Sequence, residues 1–92
     1  MTLTYKVVVL HERDGRYSAI VPGLPGCGTW GDDLPEALRM AEEAILGYMD
    51  AVEFLGETPP PDVPTVTVDL GDATEASVYN LTVALEEKAQ VA

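Results

Sequence analysis

The chain opens with apolar and polar side chains alternating at a period of two. Leu3, Tyr5, Val7, Val9 and His11 share one face of an extended segment, and Thr4, Lys6, Val8 and Leu10 share the other. The Val7-Val8-Val9 centre is apolar to both sides, which suits a strand covered on two faces. Asp14-Gly15 follows, a pair that tolerates left-handed backbone and closes hairpins, so Tyr17 to Val21 is predicted to run back antiparallel. Pro22-Gly23-Leu24-Pro25-Gly26 then forms a turn whose one large side chain is Leu24. A third short strand is predicted from Cys27 to Gly31, where Gly28 and Gly31 point to close backbone approach or a bulge. Short connections between all three strands make an antiparallel meander.

The period next changes to 3.6. Asp33 can cap a helix, Pro35 sits in the first turn where its missing N–H costs nothing, and Glu36 completes a capping box. Leu34, Leu38, Ala41, Ile45, Tyr48, Val52 and Leu55 step by threes and fours up to Gly56, predicting one long helix with this stripe on the core. A second stripe of mostly small residues, Ala37, Met40, Ala44, Gly47 and Ala51, lies about a quarter-turn away. That apolar arc is wider than one sheet face requires. Gly47 is costly in a helix interior, so close packing of another element or subunit is expected there. Glu36, Arg39, Glu42, Glu43, Asp50 and Glu53 form the solvated side.

Thr58-Pro59-Pro60-Pro61 is stiff and extended, and it leads to a second alternation, Val63 to Leu70. Thr65 to Leu70 is accordingly predicted as strand four, returning beside strand one. Tyr79, Leu81, Val83 and Leu85 alternate once more and predict a further short strand, with a helical stub from Ala84 to Ala89. The expected organisation is a domain over residues 1–72 and a C-terminal tail over 73–92. The fold class is α+β, in the order β-β-β-α-β.

Composition narrows the function. A 92-residue chain buries only about 60 to 65% of its unfolded surface, which means a single core. The lone Cys27 excludes a disulfide framework and a four-cysteine zinc site. The absence of a long apolar run and of a leader-like N-terminus leads to the expectation of a cytoplasmic protein. Sixteen acidic against five basic residues give a net charge of −11, and the imbalance is local: residues 1–31 sum to +1 and residues 32–92 to −12. Such a surface repels phosphate backbones, so direct nucleic-acid binding is not expected, and it attracts basic proteins.

Chemistry-bearing residues are sparse. His11 is the sole histidine, next to Glu12, and any histidine-based scheme runs through the end of strand one. Cys27, between Gly26 and Gly28 and with no second cysteine or basic neighbour in sequence, reads as a buried thiol rather than a nucleophile. Asp32, Asp33 and Glu36 could offer oxygen ligands to a hard cation, but capping and the helix dipole already account for Asp33 and Glu36. No metal or other cofactor is expected. Trp30 reads either as the lid of the core or as an exposed anchor for a partner.

The run from Tyr17 to Pro61 combines an aromatic strand, the turn Pro22-Gly23-Leu24-Pro25-Gly26-Cys27, the helix start Gly31-Asp32 with Glu36-Ala37, the pair Glu43-Ala44, and the close Gly56-Glu57-Thr58-Pro59-Pro60-Pro61. In this it resembles the HicB-type antitoxin family. The resemblance implies a partial ribonuclease H-like fold. It also implies a role as the neutralising half of a toxin–antitoxin pair, covering the active site of a small basic mRNA-cleaving toxin (HicA-type). Full-length members append a DNA-binding domain. Here the tail is too short for one, and Tyr79 to Val83 is similar to the arm strand that opens such a module. The family's parent fold hydrolyses RNA with metal-holding carboxylates, one on the first strand, whereas Leu3 to Leu10 contains no acid.

The expected function is therefore binding and not catalysis, with Leu24, Trp30, Asp32 and Asp33 facing the toxin. Ala37, Met40, Ala44, Gly47, Ala51, Tyr79 and Leu81 are expected at a homo-oligomer interface. The alternatives are an oligomeric protein without a toxin partner, or residual metal-dependent RNA hydrolysis.

Overall fold

A computed structural model describes residues 1–85. Four strands and one helix follow in the order β1 (Thr2–His11), β2 (Tyr17–Ile20), β3 (Gly28–Gly31), α1 (Leu34–Phe54) and β4 (Glu75–Ala84). The fold is α+β. Its single sheet runs β3-β2-β1-β4, every neighbouring pair antiparallel, with α1 packed across one face.

β1 is central for the reason its sequence states. Tyr5, Val7 and Val9 are buried beneath the helix, while Val8, on the opposite face, is only 6% exposed. The hairpin to β2 closes through bonds from the Glu12 N–H to the Arg16 carbonyl (2.8 Å) and from the Gly15 N–H to the Glu12 carbonyl (3.0 Å), with Gly15 at φ +93°.

α1 starts and stops as its end residues dictate. Asp33 accepts from the Glu36 N–H at 2.8 Å, and the Glu36 carboxylate reaches back to the Asp32 N–H at 3.2 Å, one residue before the cap. At the other end the Glu57 N–H bonds to the Val52 carbonyl and the Gly56 N–H to the Glu53 carbonyl, a Schellman motif that needs the positive φ of Gly56 (+69°).

The helix turns its predicted side to the sheet, with some change in which residues lie deepest. Ala37, Ala41, Ile45, Met49 and Val52 are buried, Leu34, Leu38 and Tyr48 are half-buried, and Leu55 is exposed. Small side chains allow the start of α1 to descend onto β3, so Ala37 belongs to the core and not to an oligomer interface. Gly47 departs from expectation too: it is exposed, and a Cβ there would meet nothing within 4 Å. Gly47→Ala should therefore stabilise the isolated protein by about 0.5 to 1 kcal/mol through helix propensity, read as a higher urea midpoint. A lower midpoint would mean that something packs on this face in solution.

Strand four is not Thr65 to Leu70. That segment forms no strand and its side chains are mostly exposed, whereas Glu75–Ala84 pairs with β1 along all ten positions and buries Val83 completely. The reason is topological. The Leu85 N–H donates to Met1, which makes the odd-numbered β1 residues the bonded partners of β4 and turns the Lys6 N–H toward β2. There, past the end of β2, Asp62 accepts from the Lys6 N–H (3.1 Å) and its ammonium (3.1 Å), Val63 accepts from the same ammonium (2.9 Å), and Pro60 accepts from the Tyr5 hydroxyl. Residues 64–72 are consumed in crossing from this side of β1 to the other. The crossing ends where Asp72 accepts from Arg13 and the Thr74 N–H donates to His11. The sheet thus continues beyond the boundary expected at residue 72. Of the helical stub expected from Ala84, Ala84 itself ends β4, and the part past Leu85 lies outside the described residues.

Candidate functional site

The sheet face away from α1 carries the even-numbered side chains of β1. Register places Trp30, Ser18, Leu10 and Ala76 in one row across it, and Gly28, Ile20, Val8 and Val78 in the next. Trp30 (51% exposed), Ile20 (45%) and Val78 (45%) stand out into solvent. Trp30 is therefore not a core lid. Arg16 lies over its ring at 5.0 Å and is held by Asp14 at 2.9 Å. Beside them is a shallow, wide-mouthed depression of about 690 Å³, bordered by Arg13, Arg16, Ser18, Gly28, Trp30 and Asp72.

Asp32 and Asp33 are exposed immediately after β3, so the corner of the sheet at Trp30 leads directly into two exposed carboxylates at the start of the helix. Leu24 does not join them. Its N–H bonds to the Val21 carbonyl and its carbonyl accepts from Cys27, each at 3.0 Å, and this turn folds the side chain inward to 1% exposure. Leu24 is a core residue and cannot touch a partner. Of the positions expected at an oligomer interface, Met40 and Ala44 are half-buried on α1, Ala51 is exposed, and Tyr79 and Leu81 are half-buried on β4. Ile20 and Val78 were missed from sequence. Strand alternation puts them on the face opposite the core, but only the register shows that they share it with Trp30.

Elsewhere several titratable groups are engaged in the fold. His11 stacks flat on Tyr17, its cross-strand neighbour, with ring centroids 4.2 Å apart. Burial pushes the Cys27 thiol up and keeps it protonated and unreactive. Burial likewise raises the Tyr5 hydroxyl, with Asp62 and Tyr48 adding to the effect. For Asp62 itself desolvation works upward. Hydrogen bonds from the Lys6 backbone and side chain, then the Val63 backbone and the Lys6 charge, outweigh it and hold the carboxyl below the ordinary range. Among the described residues no three His, Cys, Asp or Glu side chains converge as a metal site, and no helix is long and apolar enough to cross a membrane.

The arrangement offers an exposed aromatic side chain with Arg16 over its ring, Ile20 and Val78 exposed on the same face and exposed carboxylates following in the chain, a surface suited to contact with another macromolecule.

Comparison with known proteins points the same way. Residues 5–85 match the family of HicB-like antitoxins of bacterial toxin–antitoxin systems. A UPF0150 protein of Thermoplasma acidophilum is 38% identical over 60 residues, covering 65% of this chain and 87% of its own. Another, from Archaeoglobus fulgidus, is 35% identical over 60 residues, 59% of this chain and 87% of its own. Two solved structures share the fold. The N-terminal domain of the Burkholderia pseudomallei antitoxin HicB superposes with a TM-score of 0.67 at 22% identity, over 90% of this chain and 100% of that one. A chain of a toxin–antitoxin complex from Streptococcus pneumoniae superposes with a TM-score of 0.76 at 15% identity, over 100% of this chain and 82% of that one. With the family matched along nearly its whole length and the same sheet and helix beneath, the chain belongs to the HicB-like antitoxins.

Proposed function

We propose that this protein neutralises a small, basic, mRNA-cleaving toxin of the HicA type by covering its active site, and that it carries out no bond chemistry of its own. The observation that carries the reading is the corner of the sheet at Trp30, where the tryptophan side chain stands half in solvent on the face away from the helix and the chain runs directly into the exposed Asp32 and Asp33. Tryptophan is among the residues on which protein interfaces concentrate their affinity. The net charge of −11 supplies the long-range attraction to a basic partner. Structural relatives found in toxin–antitoxin complexes support the same role.

The test is coexpression with the small basic protein encoded beside it, followed by measurement of binding and of protection against mRNA cleavage. Trp30→Ala should weaken the complex by about 2 kcal/mol or more while leaving the thermal midpoint within a few degrees, since the side chain is half-exposed. Asp32→Asn, which leaves the Asp33 cap intact, should slow association and flatten its salt dependence. A complex indifferent to Trp30→Ala would place the toxin on another surface. If no basic neighbour forms a complex, the reading fails.

A further inference from the structure

β4 is an edge strand, and alternation along its ladder with β1 leaves the backbone N–H and C=O groups of Ala76, Val78, Asn80, Thr82 and Ala84 pointing outward. Among the described residues no other backbone group bonds to them. Proteins that remain single blunt such an edge with charge, proline, a bulge or a short strand. Beyond Glu75 at its first position, this edge carries none of those devices. It pairs with β1 over ten uninterrupted positions, and Ala76 to Leu85 contains no charged residue, no proline and no glycine. It is also the longest uncharged run in the acidic stretch from residue 32 onward. A second copy, bearing the same negative charge, meets the least repulsion here.

We propose that β4 pairs antiparallel with β4 of a second copy of this chain, about a two-fold axis at Asn80, so that the two sheets become one. That register uses the full strand and matches its side chains. On the face away from the helix, Val78 opposes Thr82 of the second copy and Ala76 opposes Ala84. On the helix face Tyr79 opposes Leu81, and each of these half-buried side chains gains an apolar neighbour. No like charges meet within the ladder. The outward N–H and C=O groups satisfy one another. The inference stands apart from the toxin reading, since the Trp30 corner lies at the opposite side of the sheet, beyond β2.

Sedimentation of the purified chain across a concentration series tests it, with Asn80→Glu and Asn80→Pro as variants. The glutamate faces Lys6 within its own chain and is tolerated there, but sets two carboxylates against each other at the axis. The proline removes only an outward N–H. Wild type should sediment at twice the 9.9 kDa chain mass. Both variants should dissociate at least about tenfold more readily, with Asn80→Glu keeping its circular dichroism and thermal midpoint. Asn80→Cys should cross-link to itself on mild oxidation, while the buried Cys27 does not react. A wild type that stays at single-chain mass at the highest concentration reached overturns the proposal. So does an Asn80→Glu variant that associates as well as wild type.

Discussion

Gly31→Ala should remove about 3 kcal/mol of stability or more, against a total of roughly 5 to 14 kcal/mol for a chain of this size. Gly31 ends β3 with its Cα facing the first turn of α1, and an added Cβ would lie 2.5 Å from the Ala37 nitrogen, 2.9 Å from the Ala37 Cα and 2.9 Å from the Glu36 carbonyl carbon. All three are backbone atoms, so no side chain can rotate out of the way. The start of the helix has to lift off the sheet, and it takes Ala37 and Ala41, both fully buried, out of contact with the core. In thermal unfolding the effect should appear as a midpoint lowered by about 10 to 20 °C. An unchanged midpoint would show that α1 is not seated on β3 as described.

Leu24→Ala should cost about 2 to 5 kcal/mol, because it empties a site that is 1% exposed and walled by a turn that three backbone hydrogen bonds pin in place. The size and kind of effect separate two roles for this residue. A surface anchor, once truncated, weakens partner binding and leaves the urea midpoint where it was. A core residue lowers the midpoint with the slope unchanged, and the protein that remains folded at low temperature keeps its affinity. The second pattern is expected. Circular dichroism in urea, paired with binding at about 4 °C, distinguishes them.

Leu24 also shows where a sequence argument loses its grip. The Pro-Gly-Leu-Pro-Gly turn is legible, and so is the fact that its single large side chain must go somewhere. Whether that side chain points into the core or out toward a partner depends on how Val21 and Cys27 close the turn, and that geometry is absent from the residue types. Trp30 is the mirror case. Its place in a glycine-rich strand is plain, but the face it occupies follows from its pairing with Ser18, and the exposure of that face follows from the helix lying on the other side. The antitoxin family was legible because its motif sits in local features, the turn, the cap and the proline exit. These survive as a contiguous string from Tyr17 to Pro61.

Local rules sufficed for β1, for the Asp14-Gly15 hairpin, and for a helix that runs from Asp33 to the left-handed Gly56, because each depends on neighbours within a few positions. Three things needed the assembled protein. Small alanines let the start of the helix sink onto β3 and take Ala37 into the core. The turn swallowed Leu24. The last slot of the sheet went to Glu75–Ala84 and not to Thr65–Leu70, although both alternate cleanly. Alternation states that a segment can be a strand, but the open position lay across β1 from where the proline segment docks, and reaching it used up the first alternating segment as a crossing.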